Sequence, residues 1–209
     1  IAVAYMLAVL DDDTLKHPAL ECVITTDEEI GLLGAKALDT SVLKGTHMIN
    51  MDSEEEGYLW ISCAGGLSGT SRIPVEYQEM EGVVTEVLID GLNGGHSGAE
   101  IDKNRANANK LMGLFLYELG QKIGYSIKDL SGGTKDNAIT RSCKAAIVTD
   151  AEDVEEVKAV AEKLQAELRA EYAGSDEGIT ISVTPGKEET VQALSMVSKE
   201  KVVFYLVHV

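Results

Sequence analysis

Two places in this chain gather residues able to do bond chemistry. The first is Asp27-Glu28-Glu29, which follows the β-branched stretch 20–26, together with Asp52, which follows the similar stretch 47–51 and leads into Ser53-Glu54-Glu55-Glu56. If both stretches are strands of an open parallel sheet, their carboxyl ends bring these acids to one rim, where such sheets collect functional groups. Crowded carboxylates repel one another unless a divalent cation offsets them, and adjacent Glu28 and Glu29 suit one ligand beside one general base. A solvated acidic loop accounts for the same residues, because acidic side chains are frequent everywhere in this sequence. The second place is Gly94-Gly95-His96-Ser97-Gly98. Glycines on both sides let the backbone approach a ligand and leave an exposed imidazole able to polarise a carbonyl, although a Gly-rich turn with an incidental histidine fits as well. His17, His47 and His208 read as structural.

Asparagines form a third group: Asn107 and Asn109 in Arg105-Ala-Asn-Ala-Asn-Lys110, and Asn137 closing Gly132-Gly-Thr-Lys-Asp-Asn. Asparagine is a poor helix-interior residue, so two of them near a helix start mean capping or contact with a substrate amide.

The elements that must carry these residues follow from periodicity. Residues 1–10 have helical spacing and read as a buried helix; 20–26 and 47–51 read as strands covered on both faces, 30–38 as a helix between them, and 58–62 as a further strand. Helix and strand in alternation imply an α/β sheet with parallel neighbours. Beyond a boundary between residues 64 and 81 the pattern changes. An alternating strand at 83–92 is followed by a helix at about 104–123, short strands at 125–130 and 144–148, a second helix from Val154 to about Tyr172, and a strand at 178–183. Strand, helix, strand, strand, helix, strand is the split βαβ arrangement, a ferredoxin-like sheet of four antiparallel strands with two helices on one face.

Composition limits the partners. With 209 residues, 44% hydrophobic and 25% charged, only 3 Pro and no long uncharged apolar run, the chain is globular and does not read as disordered or membrane-spanning. Lys+Arg 18 against Asp+Glu 35 gives a net charge of −17, which opposes binding to nucleic acid or an anionic membrane. Three widely spaced cysteines without a C-x-x-C pair suit a reducing cytoplasm. The chain opens on Ile1 and closes on the apolar run 202–209, which reads as a strand whose partners lie elsewhere, so an excerpt of a longer protein is expected.

Four motifs in order, TTDEEIGLLGA, MDSEEEG with CAGG, GLNGGHSGAEIDKNRANANKL and SGGTKDNAI, together resemble the aminoacyl-histidine dipeptidases of the carnosinase-like di-zinc metallopeptidase superfamily. The resemblance implies that residues 1–66 are part of a three-layer α/β/α zinc-peptidase catalytic domain, and that 67–209 are most of an α+β lid through which the protein forms a homodimer. It implies hydrolysis of short peptides such as X-His dipeptides by a metal-activated water, in the cytoplasm, with two zinc ions. Residue by residue, Glu28 matches the general base, Glu29 and Asp52 match zinc ligands, and His96 matches a lid histidine directed at the substrate carbonyl, in the partner subunit's site. Asn107, Asn109 and Asn137 match positions lining the substrate cleft. The family's first metal motif and its last metal histidine are not in this sequence, and Thr140 stands where a proline is common. A non-catalytic dimerisation or binding module, or a related deacylase or exopeptidase, are the alternatives.

Overall fold

A computed structural model describes residues 1–52, 56–63, 65 and 67–208. Ser53–Glu55 beside Asp52, Ala64 and Gly66 near the expected boundary, and the terminal Val209 lie outside the described residues. The chain divides into two compact units, Ile1–Gly65 and Gly66–Val209.

The first unit contains α1 (Ala2–Asp11), α2 (Leu33–Ala37) and a 3-10 turn, Thr40–Val42. Helix α1 appears where the periodicity puts it, but its expected burial does not, since none of its residues is buried. The expected strands at 20–26, 47–51 and 58–62 do not pair with anything among the described residues. The reason is physical. A strand satisfies its backbone groups only through neighbours, and no described residue of this unit is buried, so these apolar stretches have neither ladder nor cover.

The second unit holds the core. Strands β1 (Tyr77–Asp90), β3 (Ser126–Gly132), β5 (Cys143–Thr149) and β6 (Thr180–Leu194) form one antiparallel sheet in the order β3-β5-β1-β6. The short strands β2 (Gly95–His96) and β4 (Ala138–Ile139) make a separate ribbon. Helices α3 (Ala108–Gly120) and α4 (Val154–Glu171) complete the expected strand-helix-strand-strand-helix-strand order, so this unit is an α+β fold with a ferredoxin-like core. Alternation in β1 turns Val83, Thr85, Val87 and Ile89 inward. Val87 and Ile89 share one core with Leu111, Phe115 and Leu119 of α3 and with Val157, Ala161, Leu164 and Leu168 of α4, the helical residues spaced three or four apart on one face. Both β1 and β6 outrun expectation: Tyr77–Val83 pairs with Glu188–Leu194, beyond the reach of β5, which starts its pairing at Val83.

The apolar run at 202–209 is a correction. Its described part, 202–208, forms the end of helix α5 (Met196–His208), with Val203 buried and Val202 and Leu206 packed on the core. What decides this is α3: Gly113 presents bare backbone, where a Cβ would come within 2.6 Å of the Leu206 Cβ. Only glycine lets the two helices approach that closely. Val202, Val203 and Leu206, three and four residues apart, then find a surface as a helix that they would not find as a strand.

Candidate functional site

In the first unit the DEE segment lies on a tight loop. Gly34 N–H donates to the Thr26 carbonyl at 3.1 Å and Leu33 N–H to that of Asp27 at 3.1 Å, while Gly31 and Leu32 both donate to Glu28. Gly34 is required here, because a Cβ would lie 2.5 Å from the Thr26 carbonyl oxygen. Asp27 and Leu32 take left-handed backbone angles, φ 59° and 60°. Such angles cost a β-carbon-bearing residue roughly 1–2 kcal/mol. The loop therefore holds Glu28 and Glu29 outward, both exposed, and Asp52 is exposed as well, its amide donating to Asn50 Oδ1 at 3.1 Å. Zinc is the cofactor implied by the resemblance, and the donor set can be tested against it. A catalytic zinc needs about three protein ligands. Among the described residues no group of three His, Cys, Asp or Glu side chains is placed to hold a metal ion. The described part of this chain is therefore not a metal site by itself.

In the second unit the ribbon β2–β4 pairs Gly95 with Ile139 and His96 with Ala138, and Ser97 N–H donates to the Asn137 carbonyl at 2.9 Å. This brings the segments of His96 and Asn137, forty-one positions apart in the chain, side by side. One residue past β4, the Thr140 carbonyl accepts from Ala108 N–H at 2.9 Å, and the Thr140 hydroxyl lies 3.5 Å from Asn109 Nδ2. The start of α3 is thus tied to the same ribbon. Asn107 is the N-cap of α3: its Oδ1 accepts from Asn109 N–H at 3.0 Å. Its side chain is accounted for by capping, whereas the Asn137 side chain is exposed. Thr140 supplies both of these contacts.

The imidazole of His96 is exposed, yet its ring is held. Nδ1 accepts from Gly98 N–H and Ala99 N–H, each at 3.0 Å. A nitrogen that accepts cannot carry the proton, so the neutral ring presents Nε2–H as a donor. Two groups not singled out by the sequence shape this loop. Asp176, fully buried, accepts from Asn93 N–H at 2.6 Å and Ala106 N–H at 2.7 Å, closing the neck of the loop that carries His96. Glu100 accepts from His96 N–H at 2.9 Å and pairs with Lys103 and Arg105. Its hydrogen bond from Lys103, then that from the His96 amide, and the nearby charges hold its carboxyl down to about 2. No sequence signal marks Asp176, which sits in an ordinary turn, Gly174-Ser-Asp-Glu-Gly178; Glu100 and Arg105 could have been noticed as opposite charges flanking one turn.

Comparison with known proteins places these features. Residues 89–176 match the M20-type family described as a peptidase dimerisation domain. The cytosol non-specific dipeptidase of Escherichia coli (strain K12) is 37% identical over 183 residues, 87% of this chain and 38% of that protein. The crystal structure of aminoacylhistidine dipeptidase from Vibrio alginolyticus superposes with a TM-score of 0.74 at 27% identity, over 98% of this chain and 42% of that one. The chain spans about two fifths of the length of these relatives.

Proposed function

We propose that the chain is part of a member of the aminoacyl-histidine dipeptidase family and that the intact protein is a zinc-dependent dipeptidase. Its substrates are short peptides such as X-His dipeptides. Residues 1–66 are its share of the catalytic domain and 67–209 its lid, which pairs with a second copy, and its place is the cytoplasm. The observation that carries the reading is the 37% identity to a dipeptidase, running through both units rather than the lid alone. Among the described residues no helix is long and apolar enough to cross a membrane.

Hydrolysis asks for three things: a proton taken from water as it attacks the carbonyl, a donor for the oxygen that becomes negative, and a proton for the departing amine. In this proposal Glu28 takes the water proton and returns it to the amine, and the Nε2–H of His96 donates to the oxyanion. Such a donor accelerates the reaction only to the degree that its hydrogen bond is stronger in the transition state. Asn107, Asn109 and Asn137 are assigned to the substrate cleft, Asn107 through the capped start of α3 rather than through a free side chain. Glu29 and Asp52 serve as metal ligands only in company with residues of the intact protein, and no step is assigned to the metal here.

The test uses the full-length protein and β-alanyl-histidine. Glu28→Gln should keep its metal and lose about 10² to 10⁴ in turnover, the usual share of a general base, whereas Asp52→Ala should lower metal content itself. The 209-residue chain alone should hydrolyse nothing and bind zinc weakly. Equal metal loss in both variants would overturn the assigned roles. A metal-replete full-length protein inert toward every X-His dipeptide would favour a dimerisation module over an enzyme.

A further inference from the structure

The environment of His96 shows how an exposed ring is kept in one orientation. Burial does not do it, and the strand that carries it is only two residues long. What holds it is a closed set of bonds around the backbone. Glu100 Oε2 accepts from the His96 amide at 2.9 Å while the His96 carbonyl accepts from the Glu100 amide at 3.0 Å. On the other side, Arg105 donates through Nη1 to the Gly94 carbonyl and through Nη2 reaches Glu100 Oε1 at 3.2 Å. Lys103 Nζ meets the same oxygen at 2.6 Å. The glutamate and the arginine thus grip the chain one residue before Gly95 and one after it. Gly95 is what admits them: it has φ 138°, and a Cβ there would lie 2.6 Å from Glu100 Oε2 and against the Arg105 guanidinium. With the backbone fixed, the amides of Gly98 and Ala99 stay aimed at Nδ1.

We propose that Glu100 and Arg105 are positioning residues that hold His96 as a donor through Nε2, a role resting on the reading that His96 serves the substrate carbonyl. An ordinary surface ion pair would contribute about 0–1 kcal/mol to stability and nothing to turnover. This pair differs in that each member also bonds the backbone flanking the ring. Arginine matters for its fork, which takes a carbonyl and a carboxylate at once, a geometry that lysine cannot copy.

The experiment compares Glu100→Gln, Arg105→Lys, His96→Ala and the double variant Glu100→Gln/His96→Ala in the full-length enzyme, with kcat and KM for one X-His dipeptide. Removing the donor itself should lower kcat by about 10² to 10³. Each clamp variant should lower kcat by about tenfold or more, with KM changed less than about threefold, and the double variant should be no slower than His96→Ala, as expected for groups that act as a unit. A double variant slower by the product of the two single losses would overturn the proposal. A second readout needs no turnover. Nitrogen NMR of the His96 ring in the 209-residue chain should show the Nε2–H tautomer in the native sequence and a mixture of tautomers in Glu100→Gln. An unchanged ring in Glu100→Gln would overturn the clamp. If His96→Ala kept full kcat, the functional reading of His96 would fall, and the ring spectrum would still decide whether the clamp exists.

Discussion

The buried carboxylate of Asp176 ties together the two ends of the loop that carries His96, and its loss has a calculable cost. In Asp176→Ala two charge-assisted hydrogen bonds vanish, at 2.6 Å from Asn93 and 2.7 Å from Ala106. Bonds to an ionised partner contribute about 1.5–3 kcal/mol each. The Asn93 amide belongs to an exposed residue and regains water, but Ala106 is 1% exposed, so its N–H is left unpaired in the interior. Against this stands the relief of no longer burying a charge. The balance is a loss of about 2–4 kcal/mol, a large share of a domain stability of roughly 5–15 kcal/mol. Asp176→Asn keeps one acceptor oxygen and turns an NH₂ toward the other amide, so its loss should be smaller, about 1–2 kcal/mol. Urea unfolding of the 209-residue chain by circular dichroism gives both values, with an unchanged slope confirming that stability alone moved. Hydrogen exchange should show the Ala106 amide released. An Asp176→Ala variant within ~0.5 kcal/mol of the native chain, or one more stable than Asp176→Asn, would refute the reasoning.

The carboxyl of Glu100 lies among Lys103, Arg105 and the His96 amide and is held down from 4.5 to about 2, so the clamp is intact above pH 4.5 and weakens as pH falls through about 2. Its carboxyl carbon should accordingly titrate near 2 by NMR, and a midpoint near 4.5 would mean that these bonds do not form in solution. Thiol chemistry reads burial directly: Cys22 and Cys63 are exposed, while burial pushes the Cys143 thiol up to about 11. Only the thiolate reacts. A disulfide reagent at neutral pH should therefore consume two thiols quickly and the third only after unfolding, and three fast thiols would contradict the placement of Cys143 in the core.

The amino-acid sequence by itself determined α3, α4 and the four-stranded sheet of the second unit. The spacing Val157, Val160, Ala161, Leu164, Leu168 describes α4 before any partner is known, because a helix satisfies its backbone within itself and asks its surroundings only for one apolar face. Alternation in β1 likewise declares which residues turn inward. The motifs around Glu28, Asp52, His96 and Asn137 were legible too, as combinations of residue types on loops. Tertiary structure decided what depends on distant partners. The same apolar character that reads as a strand at 202–209 became helix α5 because Gly113 opens a place for it, and the apolar stretches of the first unit form no ladder because no described strand pairs with them. The meeting of His96 with Asn137 across a ribbon, the staple by Asp176 and the clamp by Glu100 and Arg105 are side-chain and backbone bonds between segments up to 83 positions apart. A local pattern cannot announce such bonds, because their free energy arises only when folding brings the two ends together and removes both from water.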